Sequence, residues 1–388
     1  SAFMAASHID VITRKAGKTA DGKVNPLFRW SSAGTESYDL DTPDASSDEV
    51  KRYGFDKEET HGTVVIMKLN DESGEYASRW KVEDLVKRYS DHIAFPIYLH
   101  YVQNNYDDKG KVTGSENKIE QINSASALWK RPKSELKKAD YDDFYKTLSH
   151  DTADPLLCVH THAEGTQEYT TLFFVPQTAP FDMYQADYKN GVKLYVKRVF
   201  ITDDDRELLP AYLRFVRGVI DSEDLPLNVS REILQQNRIL SSIKNASVKK
   251  LLGEFKKLAE NDKEKYSKFI AEFNRPLKEG LYSDYEHREE LADLVRFKTT
   301  SPEVKEDEWT SFADYVSRMK SDQKAIYYIT GEDEKTLRQS PHLEVYKQKG
   351  FEVLIMPDEV DDIIIPSLGK YKEWELKAAN RAGSDKEL

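Results

Sequence analysis

Two short apolar runs late in the chain, Ala325 to Ile329 and Phe351 to Met356, flank a helical segment from Glu332 to Gln348 that closes on Gly350. Runs of this length and character read as buried strands. A strand, a helix and a strand in that order imply a parallel pair joined by a right-handed crossover. The unit commits this part of the chain to α/β architecture.

The preceding residues have a different period. A helical stretch runs from Ser230 to about Phe297, with Val248, Leu251, Leu252, Phe255 and Leu258 in one apolar stripe. Tyr266, Phe269, Ile270, Phe273 and Leu277 make a second, the pattern of a small packed bundle. Earlier still the signals alternate. Val82, Leu85, Val86, Tyr89 and Ile93 mark one face of an amphipathic helix. Strands are expected at Pro96 to Gln103, Leu156 to His162, Thr170 to Val175 and Lys193 to Ile201, and helices at Ser134 to Leu148 and Leu209 to Ile220. The first residues carry strand-like runs at Ile9 to Thr13, Phe28 to Ser31, Ser37 to Leu40 and Thr63 to Leu69, with no helices to cover them. Asp41 to His61 is polar and acidic and reads as an exposed or disordered excursion.

The fold class is therefore α/β (α+β), in five stretches. Residues 1–75 are the end of a larger strand-rich domain, 76–228 a mixed α/β/α part, 229–300 a helical part and 301–365 a small α/β part. Residues 366–388, where periodicity fades, are the start of a further domain.

Bulk properties narrow the function. A net charge of -12 with 32% charged residues lacks the basic footprint of a nucleic-acid binder. A single cysteine excludes an internal disulfide framework and fits a reducing compartment. No apolar run approaches the roughly 18 residues of a membrane helix, and no signal peptide is evident. Gly17-Lys18-Thr19 imitates the end of a phosphate-binding loop, but the glycine needed five residues upstream is Ile12. Cys158, His160 and His162 share a strand face, yet three ligands without a fourth make no zinc site, and no metal is expected. Trp129 sits in a polar neighbourhood, and Phe181, Met183 and Tyr184 precede the turn at Asn190-Gly191. Large apolar residues in loop-like sequence suit an interaction surface, with buried anchoring the competing reading.

The most informative segment is Asp224-Leu-Pro-Leu-Asn-Val-Ser-Arg-Glu-Ile-Leu-Gln-Gln-Asn-Arg-Ile-Leu240. Asn228 and Ser230 are good helix caps, placing Arg231 in a first helical turn. A cation there opposes the helix dipole, but beside free backbone N–H groups it suits an anion such as phosphate. This segment resembles the catalytic loop of the heat-shock protein 90 chaperones, particularly the bacterial branch. The likeness continues through Arg29-Trp-Ser-Ser32, Gly62-Thr63, Lys87-Arg-Tyr-Ser-Asp-His-Ile93, Ala127-Leu-Trp129, Pro180-Phe-Asp182, Leu194 to Asp203, Tyr315-Val-Ser-Arg-Met319 and Tyr327-Tyr-Ile-Thr330.

The resemblance implies an ATP-dependent chaperone whose nucleotide pocket, of the gyrase/histidine-kinase/MutL type, lies mostly before residue 1. The first stretch would be a remnant of that ATPase sheet. Thr63 would be an adenine contact. Arg231 would reach the γ-phosphate across a domain interface, with Gln235 supporting the same closed state and Phe200 packing it. Lys197 stands where some relatives have arginine. Trp129, Phe181, Met183 and Tyr184 match client-contacting positions. ATP and magnesium would act in the full-length protein, with neither bound by this fragment. Expected partners are unfolded or partly folded clients and the chain's own N-terminal ATPase domain, without nucleic acid or membrane. The full-length protein would be a cytoplasmic homodimer and the fragment a monomer. A non-catalytic client-holding scaffold is the alternative, and a DNA-acting member of the same ATPase superfamily fits the acidic balance poorly. Asp41 to His61 is longer than the family's usual connection, and no long charged linker precedes Trp80.

Overall fold

The computed structural model describes residues 2–44, 46–107, 111–186, 188, 190–203, 207–227 and 237–381. The chain divides into two compact units, residues 1–91 with 95–125, and residues 92–94 with 126–388.

In the first unit, β1 (Ala6–Arg14), β2 (Leu27–Ser32), β3 (Asp39–Asp41) and β4 (Gly62–Leu69) form an antiparallel sheet ordered β3-β2-β1-β4. The register pairs Val11 with Trp30 and Val65, so Ile9, Val11 and Thr13 share one face while Ile12 and Arg14 lie on the other. Asp41 to His61, expected as an exposed or disordered loop, is instead folded onto that second face. Ser47 caps a short helix, α1 (Asp48–Arg52), and Val50 and Phe55 pack on Ile12 and Leu27. Composition misses this because two apolar side chains among many polar ones are enough to cover a small sheet face. Helix α2 (Arg79–Ser90) and the hairpin β5 (Tyr98–Tyr106) with β6 (Val112–Gln121) complete the unit. Asn123 donates to the Ser90 and Phe95 carbonyls and accepts from Ile97 N–H, tying helix to hairpin.

The second unit is built on a five-stranded sheet, order β10-β9-β11-β8-β7, from β7 (Leu157–Ala163), β8 (Tyr169–Val175), β9 (Gly191–Val196), β10 (Val199–Thr202) and β11 (Arg217–Ser222). The central strand β11 runs antiparallel to β8 and parallel to β9. Here the expected helix over Leu209 to Ile220 is corrected. Only a single 3-10 turn, Ala211–Leu213, precedes β11. The apolar spacing that suggested a helix belongs to a strand covered on both faces, which loses its alternation. Gly218 is required there: its φ is +151°, and a Cβ would come within 2.1 Å of the Leu172 carbonyl oxygen.

Each face of this sheet has its own layer. Leu172, Phe174, Tyr195, Phe200 and Val219 point to the side of α3 (Lys138–Ser149). Phe173, Val175, Leu194 and Ile220 point to a bundle of α4 (Arg238–Asn261), α5 (Lys263–Ser283) and α6 (Arg288–Leu294). The two stripes read from sequence meet in this core, where Phe255, Phe269 and Phe273 surround Phe215.

A second five-stranded sheet, order β12-β14-β13-β16-β15, follows from β12 (Lys298–Thr299), β13 (Ala325–Thr330), β14 (Val353–Met356), β15 (Lys370–Tyr371) and β16 (Trp374–Ala378). The parallel pair β13 and β14 is the one the sequence demanded. Its crossover is broken: α7 (Phe312–Arg318) precedes it, and Pro341 separates α8 (Glu334–Arg338) from α9 (Glu344–Lys349). Gly350 ends α9 with φ +68°. After α10 (Asp361–Leu368), β16 pairs parallel with β13, so residues beyond Pro366 extend this sheet. Strands of two and five residues are too short to show a period.

Candidate functional site

The positions singled out from sequence fall on several parts of the chain. Arg231 and Gln235, with the cap candidates Asn228 and Ser230, lie outside the described residues. Their flanks are described. On one side β11 ends at Ser222; on the other Asn237 caps α4, its side chain accepting from Ile239 N–H at 2.9 Å.

The turn between β9 and β10 lies beside the end of β11. Its two residues, Lys197 and Arg198, both take positive φ, +50° and +67°, as a two-residue hairpin requires. Asparagine and glycine are the usual occupants, so two long cations there are unfavourable by local propensity. Neighbours hold them in place. Lys197 N–H donates to the Ser222 carbonyl at 3.0 Å, and Arg198 N–H donates to Asp221 Oδ1 at 3.1 Å.

Asp221 is fully buried and serves several elements at once. Its other oxygen accepts the Trp129 indole N–H at 2.7 Å, and the Lys130 ammonium lies at 3.8 Å while also pairing with Glu223 at 2.6 Å. Burial pushes the Asp221 carboxyl above its ordinary range, against the Trp129 and Arg198 donors and the Lys130 charge. Sequence reasoning passed over this residue, although an acid inside the apolar run Gly218-Val-Ile-Asp221 was the available signal.

Trp129 is 1% exposed. Its ring meets His92 edge-on at 4.7 Å, Tyr195 at 4.9 Å and Phe144 at 5.8 Å. Of the two readings of this tryptophan, buried anchoring is the one its surroundings match, because the indole is enclosed and its only polar atom is bonded. Phe200, also nearly buried, stands edge-on to the same Tyr195 at 5.8 Å. The structure thus joins Trp129 and Phe200, singled out for different reasons, in one aromatic cluster.

The loop before β9 divides. Phe181 is 95% exposed, Tyr184 is half exposed and Met183 is buried in the core. Tyr184 lies between the guanidiniums of Arg214 and Arg275, at 5.0 and 4.8 Å from its ring centre. Arg214 in turn donates to the Met183 carbonyl and pairs with Glu279. A shallow cavity of about 280 Å³ beside Tyr184 is lined by Tyr188, Asn190 and Arg214. The loop therefore presents one bare phenyl ring beside a fixed tyrosine.

The remaining candidates are placed plainly. Thr63, in the first unit, is exposed at the start of β4, its hydroxyl 2.8 Å from that of Thr13. His160 donates from Nε2 to the Trp129 carbonyl and accepts from the Tyr141 hydroxyl at Nδ1, so neither nitrogen is spare for a metal. Burial pushes the Cys158 thiol up to about 12. Among the described residues no three His, Cys, Asp or Glu side chains gather with metal-binding geometry. Nor, among them, is any helix long and apolar enough to cross a membrane. A cleft of about 750 Å³ between the bundle and the second sheet, walled by Tyr266, Arg296, Trp309 and Tyr371, contains none of the predicted residues.

Comparison with known proteins adds the relationship. The family described as Hsp90 protein matches residues 101–387. The chaperone protein HtpG of Treponema denticola is 76% identical over all of this chain, which covers 59% of that protein. HtpG of Treponema pallidum is 64% identical, again over the whole chain and 60% of the relative. HtpG of Wolinella succinogenes is 52% identical over the whole chain and 58% of the relative. The chain thus spans about three-fifths of the length of these curated relatives. It belongs to the heat-shock protein 90 family, within the bacterial branch that the HtpG chaperones represent.

Proposed function

We propose that this chain is the client-holding and phosphate-sensing part of an ATP-dependent molecular chaperone. The observation carrying this reading is the 76% identity to an HtpG chaperone across every residue of the chain. On this reading residues 1–75 close the nucleotide-binding domain, and 76–228, 229–300 and 301–365 make the middle domain, whose second sheet β15 and β16 complete. The longer protein would be a cytoplasmic homodimer that hydrolyses ATP with magnesium.

The residues present fit part of a nucleotide site. Thr63 offers an exposed hydroxyl to a base edge, while no glycine-rich phosphate loop occurs in the sequence. Bound ATP supplies the phosphoryl group and the free energy of its hydrolysis. The chain's own contribution is a permanently charged, forked donor at Arg231, suited to developing charge on phosphate oxygens. Gln235 would support the same role, and the Lys197–Arg198 turn holds two further cations beside the end of β11. Phe200 supports the surface from beneath, through Tyr195.

Clients would meet Phe181 and Tyr184. An exposed phenyl ring beside a tyrosine flanked by arginines suits extended apolar segments without demanding a sequence. Met183 then acts from inside, anchoring this loop in the core, while Trp129 supports the other face of the sheet through Tyr195 and Asp221. The test is suppression of aggregation of a model client by this chain. The double variant Phe181→Ala, Tyr184→Ala should lose most of the suppression while keeping its thermal midpoint within about 2 °C, since exposed substitutions usually cost under about 0.5 kcal/mol. Undiminished suppression would remove this loop from client binding and leave holding to another surface.

A further inference from the structure

The reading above gives the segment Asp41 to His61 no task. Its contacts are specific. Arg29 on β2 donates to both oxygens of Asp41, at 2.6 and 3.2 Å, and to Glu49 at 3.0 Å, fixing the outgoing leg and α1. Val50 and Phe55, 0% and 2% exposed, seat the middle on the sheet.

The return leg is held differently. Arg14, the last residue of β1 and itself buried, donates from Nη1 to the carbonyls of Lys57 at 2.8 Å and Thr60 at 3.1 Å, and from Nη2 to Phe55 at 3.0 Å. Among the described residues no carboxylate pairs with it. A guanidinium spent on three main-chain carbonyls fixes the path of a backbone.

That path leads directly into Gly62 and Thr63. Arg14 pairs in register with Gly62, and Thr13 with Thr63. The Thr13 hydroxyl also donates to the Gly62 carbonyl at 3.1 Å. Gly62 has φ +133° with open space around any added Cβ, so its constraint is one of conformation. Residues 46–61 and β4 therefore join at a glycine whose two sides are both pinned by the end of β1.

We propose that residues 42–61 are a brace that sets the position of Gly62 and Thr63, with Arg14 as the positioning residue between them. Its consequence for nucleotide affinity rests on the proposed base contact of Thr63; the mechanical coupling does not. Amide hydrogen exchange on the whole chain tests the coupling. Arg14→Ala should speed exchange at residues 62–64 by about tenfold or more, as loss of local protection does. Arg14→Lys, which keeps a donor without the fork, should give an intermediate rate. Unchanged exchange along the β1–β2 pairing, at Val11 and Trp30, reports that the sheet itself survives. Faster exchange confined to residues 53–60, or none at all, overturns the brace. Resonance shifts of Thr63 on titration with an adenine nucleotide report separately on the base contact, so failure of that assignment leaves the exchange result standing.

Discussion

Two buried carboxylates carry the sharpest expectations at the level of single residues. Asp221 bonds Trp129 and Arg198 at once, so Asp221→Ala leaves the buried Trp129 indole N–H and the Arg198 amide without their acceptor, while Lys130 keeps Glu223. Unfolding in urea should show a loss of about 3 kcal/mol or more. Its carboxyl is held above the unfolded value by burial, so the folded state binds the proton more tightly. The stabilising contribution is complete below the unfolded carboxylate range and disappears as pH rises through the folded pKa. Asp221→Asn should flatten that part of the stability–pH curve; an unchanged curve would mean another group titrates there. The second case is Lys278, 2% exposed, which donates to Asp361 at 2.8 Å and Asp358 at 2.7 Å. Burial also raises the Asp361 carboxyl, despite that ammonium. Lys278→Met should cost about 3–5 kcal/mol by leaving a buried acid unpaired, and adding Asp361→Leu should recover most of it. Non-recovery in the double variant would show that packing, and not charge, sets the cost. Asp221 left a signal as an acid inside an apolar run, whereas Asp361 left none, because its burial depends on neighbours distant in sequence.

At the level of elements, periodicity reached as far as its physical basis allows. The bundle stripes and the parallel β13–β14 pair were readable because each buries one regular face or one short run. The strand β11 was not, since a strand enclosed on both sides carries the same apolar density as a helix. Gly218→Ala is the check: a Cβ driven against the Leu172 carbonyl should destabilise by about 3 kcal/mol, whereas a helical glycine would gain from the change. The folding of Asp41 to His61 was equally hidden, resting on Val50, Phe55 and the reach of Arg14. The β9–β10 turn invites the opposite experiment. Replacing Lys197–Arg198 by Asn–Gly should raise the thermal midpoint, since both positions relax. In the longer protein the same change should slow ATP turnover if those cations serve phosphate. Faster or equal turnover would assign the turn to structure alone.

At the level of the molecule, the family relationship was legible from motifs spread along the chain, while the exposure of each proposed client contact was not. Trp129 and Phe181 look alike in sequence, yet one is enclosed and the other bare. For the chain alone, calorimetry with ATP and magnesium should detect no micromolar binding; tight binding would mean that the base end of the pocket suffices. In the longer protein, Arg231→Ala should slow hydrolysis by on the order of a hundredfold or more while sparing ADP affinity. One further property follows from the core of the second unit, where side chains of the first sheet, the bundle and the second sheet pack without interruption from Leu156 to Ala378. Such a block melts all at once, with calorimetric and van't Hoff enthalpies in agreement. A push delivered at the Lys197–Arg198 turn would reach the far sheet through that shared core, side chain against side chain.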